Sequence, residues 1–181
     1  MRYDDTNQEN KSSAGRSQDL KFLRFELAEE FYGLDILKIM EINGMMDITA
    51  VPQTPRFMKG LINLRGKVIP VIDLRLKFGL AEQEYTERTS IIVIEFDTIS
   101  GPTQMGIVVD RVSEVITINQ DDIEPAPEFG SSLKSDYIKG MAKTKTQVII
   151  ILDIDLILTD QELTFGPKPS EEEELEAASA E

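Results

Sequence analysis

An internal repeat constrains this chain more than any other feature. Lys59-Gly60-Leu61 recurs 80 positions later as Lys139-Gly140-Met141, and the run 68–74 recurs at the same offset as 148–154. A third block, 55–57, matches 127–129 at an offset of 72. The upstream positions Gly33, Lys38, Ile39, Glu41 and Ile42 match, at an offset of 73, Gly106, Arg111, Val112, Glu114 and Val115. Matching blocks in the same order predict two copies of one small β unit.

The two repeat blocks extend over about 33–78 and 106–158. A unit of roughly 70 residues is marginal as an independent domain because it buries too little of its surface. We therefore expect the two copies, with about five strands each, to bury a shared core between them.

Short β-branched segments bounded by turn residues dominate the chain between the termini. Helical periodicity is weak and favours only two short helices, Leu74 to Phe78, ended by Gly79, and Ile154 to Leu158. The candidate strands cover 20–27, 39–42, 68–72, 90–96, 105–109, 112–118 and 147–153. This pattern predicts an all-β fold with short helices, of the barrel or sandwich kind.

The segment 57–75 carries the densest local signals and reads as strand, tight turn, strand and helix. Gly66 fits a hairpin position with positive φ, which glycine adopts without steric cost. Arg65, beside that turn, should be exposed. Pro70 cannot donate to a β-ladder, so its strand should lie at a sheet edge or carry a bulge.

The sequence contains few residues that could form a catalytic or metal-binding site. The chain contains no Cys and no His, and it has no glycine-rich phosphate loop. We therefore expect no enzyme activity, no cofactor and no metal. The acidic pairs Asp121-Asp122 and Asp153-x-Asp155 are more simply a turn and a helix N-cap with a first-turn acid. Asp73, the repeat partner of Asp153, should likewise cap a helix.

Charge and hydropathy limit the partners. The net charge is -14, which argues against binding nucleic acid or an anionic membrane. No apolar run approaches the roughly 20 residues of a membrane helix, so a cytoplasmic protein without membrane insertion is expected. We interpret 1–19 as a disordered leader, 20–166 as the folded domain and 167–181 as a disordered acidic tail.

The segment 59–75 resembles the most recognisable motif of the CheW family, which reads roughly K-G-x-x-N-L-R-G-x-[VI]-[VI]-P-[VI]-[VI]-D-L-R. Every fixed letter of that pattern is present. The family's opening is also similar to 25–42, and further similarity lies at 106–112 and 125–129. The resemblance extends over essentially 20–163 and leaves out only the leader and the acidic tail.

This resemblance implies two intertwined five-stranded β-barrels with a groove between them. It also implies a non-enzymatic adaptor, recruited to membrane-bound arrays, that couples the cytoplasmic tip of methyl-accepting chemoreceptors to the regulatory domain of the histidine kinase CheA. The receptor would dock through apolar residues lining the groove. The family's receptor-coupling positions fall on Glu41, Gly60, Arg65, Gly66 and Gly140. Its kinase-facing position falls on Ile39.

Each of these positions also has a purely structural interpretation. Glu41 and Arg65 could be ordinary solvated charges. The three glycines are first of all backbone requirements, and Ile39 is as consistent with the core as with an interface, since strand faces alternate. The alternative functions are a regulatory module of another two-component kinase pathway, the CheA regulatory domain itself, a receiver-bearing CheV adaptor, an enzyme of unknown chemistry, or a nucleic-acid-binding barrel.

Overall fold

The computed structural model describes residues 17–98, 100–127 and 135–158. These residues form eleven strands, two short α-helices and three 3₁₀ turns. The strands are β1 (Asp19–Leu27), β2 (Glu30–Asp35), β3 (Ile39–Gly44), β4 (Met58–Leu64), β5 (Lys67–Asp73), β6 (Ser90–Thr98), β7 (Gly101–Val109), β8 (Arg111–Asn119), β9 (Ile123–Glu124), β10 (Ile138–Lys143) and β11 (Val148–Leu152). The helices are α1 (Leu74–Lys77) and α2 (Ile154–Leu158). The predicted all-β class with short helices is confirmed.

The strands form two sheets with matching strand orders. Sheet I has the order β3-β6-β7-β5-β4, and sheet II has the order β8-β1-β2-β11-β10-β9. Each contains one parallel pair at the same place, β5 beside β7 and β11 beside β2. The registers agree, because Val71 lies opposite Gly106 in sheet I and Ile151 lies opposite Gly33 in sheet II. The sequence repeat therefore corresponds to a structural repeat.

The two sheets exchange strands between the repeat blocks. Sheet I combines β3, β4 and β5 from the first block with β6 and β7, and sheet II combines β1 and β2 with β8 to β11. Neither block can complete its sheet without strands from the other, so the two units are intertwined, as the family resemblance implied.

The predicted shared core lies between the sheets. It takes side chains from both, including Phe25 and Tyr32 of sheet II and Ile92 and Ile107 of sheet I. The opposite face of each sheet buries a smaller cluster of its own, around Ile62, Ile69 and Val93 in sheet I and around Phe22 and Ile149 in sheet II. Apolar residues on both faces of a strand explain its continuous β-branched runs.

The prediction that the strand of Pro70 lies at a sheet edge or itself carries a bulge is wrong. Strand β5 is interior, between β7 and β4. Pro70 is tolerated because the parallel register with β7 begins one residue later, at Val71. The irregularity lies on the partner strand, where the β4–β5 register shifts between Met58 and Gly60.

The predicted helix caps are confirmed. Asp73 Oδ1 accepts hydrogen bonds from the backbone N–H groups of Arg75 and Leu76, at 2.9 and 3.3 Å. Asp153 Oδ1 accepts from Leu156 N at 3.4 Å, with Asp155 in the first turn of α2. Residues 120–122 form a 3₁₀ turn.

Several boundaries differ from the sequence-based expectations. Strands β2, β9 and β10 were not among the candidate strands, because glycines or shortness interrupt their apolar patterns. Strand β1 begins at Asp19, the last residue assigned to the leader, and Gln18 O accepts from Gln120 N at 2.9 Å. Residues 1–16, the repeat partners at 128–129, and residues 159–181, which include the predicted acidic tail 167–181, lie outside the described residues. No described helix is long and apolar enough to cross a membrane.

Candidate functional site

A tight hairpin turn presents Arg65 to solvent. Strands β4 and β5 are joined by Arg65 and Gly66 alone, with φ values of 55° and 84°. Two central residues with positive φ define a type I′ turn, whose twist matches that of the flanking strands. Gly66 N donates to Asn63 Oδ1 at 2.8 Å, which fixes the turn. The predicted exposure of Arg65 is confirmed, since its side chain is 80% exposed.

Glu41 meets Arg65 across the open end of sheet I. The Arg65 Nη2 to Glu41 Oε2 distance is 2.7 Å. Glu41 lies on β3, one end strand of the sheet, and Arg65 follows β4, the other end strand. Because the pair joins the two ends, sheet I must curl round on itself, and the ion pair lies at the mouth of the curl. The Glu41 side chain is half-buried and Arg65 is exposed, and an ion pair with a solvated partner of this kind typically adds about 0–1 kcal/mol.

A cavity of about 340 Å³ lies beside this ion pair. Its deep side is apolar, since Ile69 and Val93 are both buried. Its rim carries the charged side chains Glu41, Arg65 and Lys67. The remaining lining residues are Met40, Leu64 and Gln104. The mouth therefore combines an apolar floor with a charged rim, which suits protein recognition better than catalysis.

Gly60 and Gly140 do not line this cavity. Both are buried and occupy equivalent bulged positions, in β4 of sheet I and β10 of sheet II. A Cβ at Gly60 would lie 2.0 Å from Thr49 O, and the φ of 141° also excludes most other residues. A Cβ at Gly140 would lie 2.6 Å from Ile123 Cγ2 and 2.8 Å from Glu124 O. Both glycines therefore have a structural role. A substitution at either one would affect partner binding indirectly, by displacing its strand.

Ile39 begins β3 and is half-buried against the shared core. The preceding turn is tied to α2, since Lys38 Nζ lies 2.8 Å from Asp155 Oδ2. The hydrogen bond to Asp155 raises the pKa of the Lys38 ammonium above its ordinary value. Leu37 and Leu156, the chain neighbours of this pair, are exposed apolar residues.

The structure thus brings Glu41, Arg65 and Gly66 together and places Gly60, Gly140 and Ile39 elsewhere. Sequence reasoning missed Met40, Lys67 and four exposed apolar residues at repeat-related positions. These four are Ile42 and Val68 in sheet I and Val115 and Val148 in sheet II. The repeat already paired Ile42 with Val115 and Val68 with Val148, but only the strand register shows that all four face outward.

Comparison with known proteins gives a consistent result. Residues 21–162 match the family model described as a CheW-like domain. The chain is 41% identical over 152 residues to "Chemotaxis protein CheW" of Klebsiella aerogenes, covering 84% of this chain and 89% of the relative. It is 32% identical over 151 residues to "Chemotaxis protein CheW" of Bacillus subtilis, covering 83% and 94%.

A solved structure is also similar. The crystal structure of the scaffolding protein TtCheW from Thermoanaerobacter tengcongensis superposes with a TM-score of 0.71 at 37% sequence identity. The match covers 80% of this chain and 96% of that chain.

Proposed function

Because the chain belongs to the CheW-like family, we propose that it is a non-enzymatic adaptor of bacterial chemotaxis. It couples the cytoplasmic tip of a methyl-accepting chemoreceptor to the regulatory domain of the histidine kinase CheA. The protein is cytoplasmic and joins membrane-bound receptor arrays through these contacts. The named relatives reported above are chemotaxis proteins, which favours this pathway over another two-component system.

The observation that carries the proposal is the meeting of Glu41, Arg65 and Gly66 at one exposed mouth. These three residues occupy positions to which the family resemblance assigns receptor coupling, and the ion pair adds too little stability to explain a structural role alone. We assign the mouth of sheet I to receptor coupling. Gly60 supports it indirectly by letting β4 approach the backbone at Thr49, and Gly140 supports sheet II by letting β10 approach β9.

An adaptor needs at least two docking surfaces, and exposed apolar side chains lie on both sheets. The exposed apolar residues Ile42 and Val68 of sheet I have counterparts in Val115 and Val148 of sheet II. We assign the kinase contact to the β3 end of sheet I, where Ile39 offers a half-buried apolar side chain. Receptor signals would then shift the conformational equilibrium of the kinase through the adaptor. Modest single contacts would be strengthened by the multivalency of an array.

The test is co-sedimentation of the purified protein with a receptor cytoplasmic fragment and CheA, with kinase activity measured in the same tubes. We expect Arg65→Ala and Glu41→Ala to reduce receptor-dependent activation by about tenfold, the loss of a contact worth about 1.4 kcal/mol. Lys143→Ala is the matched control, because Lys143 forms an exposed ion pair with Glu124 on sheet II at 2.8 Å.

Failure of the folded wild-type protein to bind either partner from its own organism at micromolar concentration would overturn the adaptor function. Equal loss of activation in Lys143→Ala and Arg65→Ala would instead overturn the assignment of receptor coupling to the mouth of sheet I.

A further inference from the structure

The two sheets differ at one inward-facing position. Val93 of β6 lies opposite Gly106 in sheet I, and Arg24 of β1 lies opposite Gly33 in sheet II. Since Gly106 and Gly33 are repeat partners, Val93 and Arg24 are equivalent positions. A short apolar side chain thus stands in one sheet where a long cationic one stands in the other.

Arg24 fills the mouth of sheet II. Its guanidinium pairs with Glu114 at 2.9 Å and lies 5.0 Å from the centre of the Phe31 ring. It also donates to Gln147 Oε1 at 3.4 Å. Glu114 is the repeat partner of Glu41, and Gln147 is the repeat partner of Lys67, so these are the same rim positions that surround the cavity of sheet I.

Val93 is too short to fill the corresponding space in sheet I. The cavity of about 340 Å³ remains there, which is within the usual range of about 300–1,000 Å³ for ligand pockets. Its floor of Ile69 and Val93 is buried, and Glu41 finds its partner in Arg65 of the hairpin rather than in a side chain from below. The cavity of sheet I therefore lies at the position that the Arg24 side chain occupies in sheet II.

The rim of this cavity has an excess of positive charge. Among the lining residues, Arg65 and Lys67 are cations and Glu41 is the one acid. Glu41 already pairs with Arg65, which leaves the charge of Lys67 uncompensated within the rim. In a chain of net charge -14, such a local excess favours an acidic partner group.

We propose that the mouth of sheet I is a pocket for a leucine or isoleucine side chain of a partner protein that carries a carboxylate beside it. The branched apolar side chain enters over Ile69 and Val93, and the neighbouring carboxylate meets Lys67 and Arg65. That this partner is the chemoreceptor rests on the proposed function, whereas the chemistry of the pocket does not.

The test uses the full chain with ¹³C-labelled methyl groups, titrated with N-acetyl-leucyl-glutamate amide. We expect saturable shifts of the Val93 and Ile69 methyl signals at millimolar peptide. N-acetyl-leucyl-lysine amide should bind about threefold to fivefold more weakly, the range expected for one exposed charge pair. N-acetyl-alanyl-glutamate amide should produce no saturable shift. Absence of any shift with the leucyl-glutamate peptide at 20 mM, or equal binding of the glutamate and lysine peptides, would overturn the proposal.

Two variants test the site itself. Val93→Arg copies the arrangement of Arg24 with Glu114, because Glu41 occupies the position equivalent to Glu114 and can accept from a second arginine, and should abolish peptide binding. Lys67→Glu changes only the exposed rim and should reverse the preference between the two leucyl peptides. Lys145→Glu makes the same charge change in the sheet II hairpin and should leave binding as in the wild type. Unchanged preference in Lys67→Glu would contradict the pocket.

This experiment separates two failures. If the peptide binds as expected but neither receptor nor CheA binds the chain, the proposed function is wrong and the pocket serves another acidic partner. If the adaptor assay succeeds but Val93→Arg, folded by its amide spectrum, activates the kinase fully, the pocket is not used.

Discussion

Sheets I and II share a strand order and register but differ at their mouths. In sheet I the ion pair of Glu41 with Arg65 lies outside, over a cavity above Val93. In sheet II the equivalent glutamate, Glu114, pairs with Arg24, which occupies the equivalent inward position. The ladders constrain the backbone and hence preserve the repeat. The side chains at the mouths are not needed for the ladders, and these are the side chains that differ between the two sheets. We therefore assign partner recognition to the mouths.

The largest expected effect tests whether the two bulge glycines are equivalent. Gly60→Ala should cost about 3–4 kcal/mol of unfolding free energy, because its Cβ would meet a backbone carbonyl at 2.0 Å in a strained region of φ. Gly140→Ala should cost less, about 2–3 kcal/mol, since φ is ordinary there and its contacts, Ile123 Cγ2 at 2.6 Å and Glu124 O at 2.8 Å, are less close. Urea unfolding of both variants measures the difference, and equal losses would contradict it.

A second comparison concerns the helix caps. Asp73 is only 3% exposed, caps α1, and accepts a hydrogen bond from the Tyr85 hydroxyl at 3.0 Å. Asp73→Ala should therefore cost about 2–3 kcal/mol, because buried donors lose their acceptor. Asp153→Ala, at the cap of α2, should cost about 0.5–1 kcal/mol. Thermal or urea denaturation of both variants checks the ranking, with Tyr85→Phe as the control that removes one hydrogen bond.

Substituting Arg24 should lower the unfolding free energy more than substituting Arg65, although Arg65 is the arginine that we assign to partner binding. Arg24→Val should cost about 1–2 kcal/mol of unfolding free energy, since it removes the ion pair, the contact with the Phe31 ring and the packed stem. Arg65→Ala should cost less than about 0.5 kcal/mol because its side chain is exposed. Chemical denaturation gives the comparison. A larger loss for Arg65→Ala would mean that the exposed pair has a structural role.

The smallest expected effect is a difference in alkaline stability. Burial, and then the negative charge of Asp73, raises the pKa of the Tyr85 phenol, and burial also raises the pKa of Tyr32. A raised pKa in the folded state means that the stabilisation is complete below the unfolded pKa of about 10 and is lost as pH rises beyond it toward the folded value. The urea midpoint should thus begin to fall above about pH 10.

In Tyr85→Phe the urea midpoint should fall less steeply above about pH 10 than in the wild type. In Tyr32→Phe the contribution of Tyr85 to that fall should remain. Measuring urea midpoints between pH 8 and 11 for the three proteins makes the comparison, and an unchanged slope in Tyr85→Phe would show that the Asp73 contact does not respond to pH.

The sequence alone determined the all-β class, the repeat, the caps at Asp73 and Asp153, and the hairpin with Arg65 and Gly66. These features depend on residues close together in the chain, such as a glycine at a positive φ or an aspartate before a helix, so local patterns reveal them. The family resemblance also singled out Glu41 and Arg65, although nothing in their spacing shows that they are paired.

Only the tertiary structure decided the rest. The interior place of β5, the exchange of strands between the blocks, and the outward direction of Ile42 and Val115 depend on which strands pair, and pairing is set by contacts between distant residues. The contrast between Val93 and Arg24 became visible only when the register aligned them through Gly106 and Gly33. A shift of one residue turns a side chain to the opposite face of a sheet. Without the strand register, the sequence therefore does not show which side chains line the cavity of sheet I.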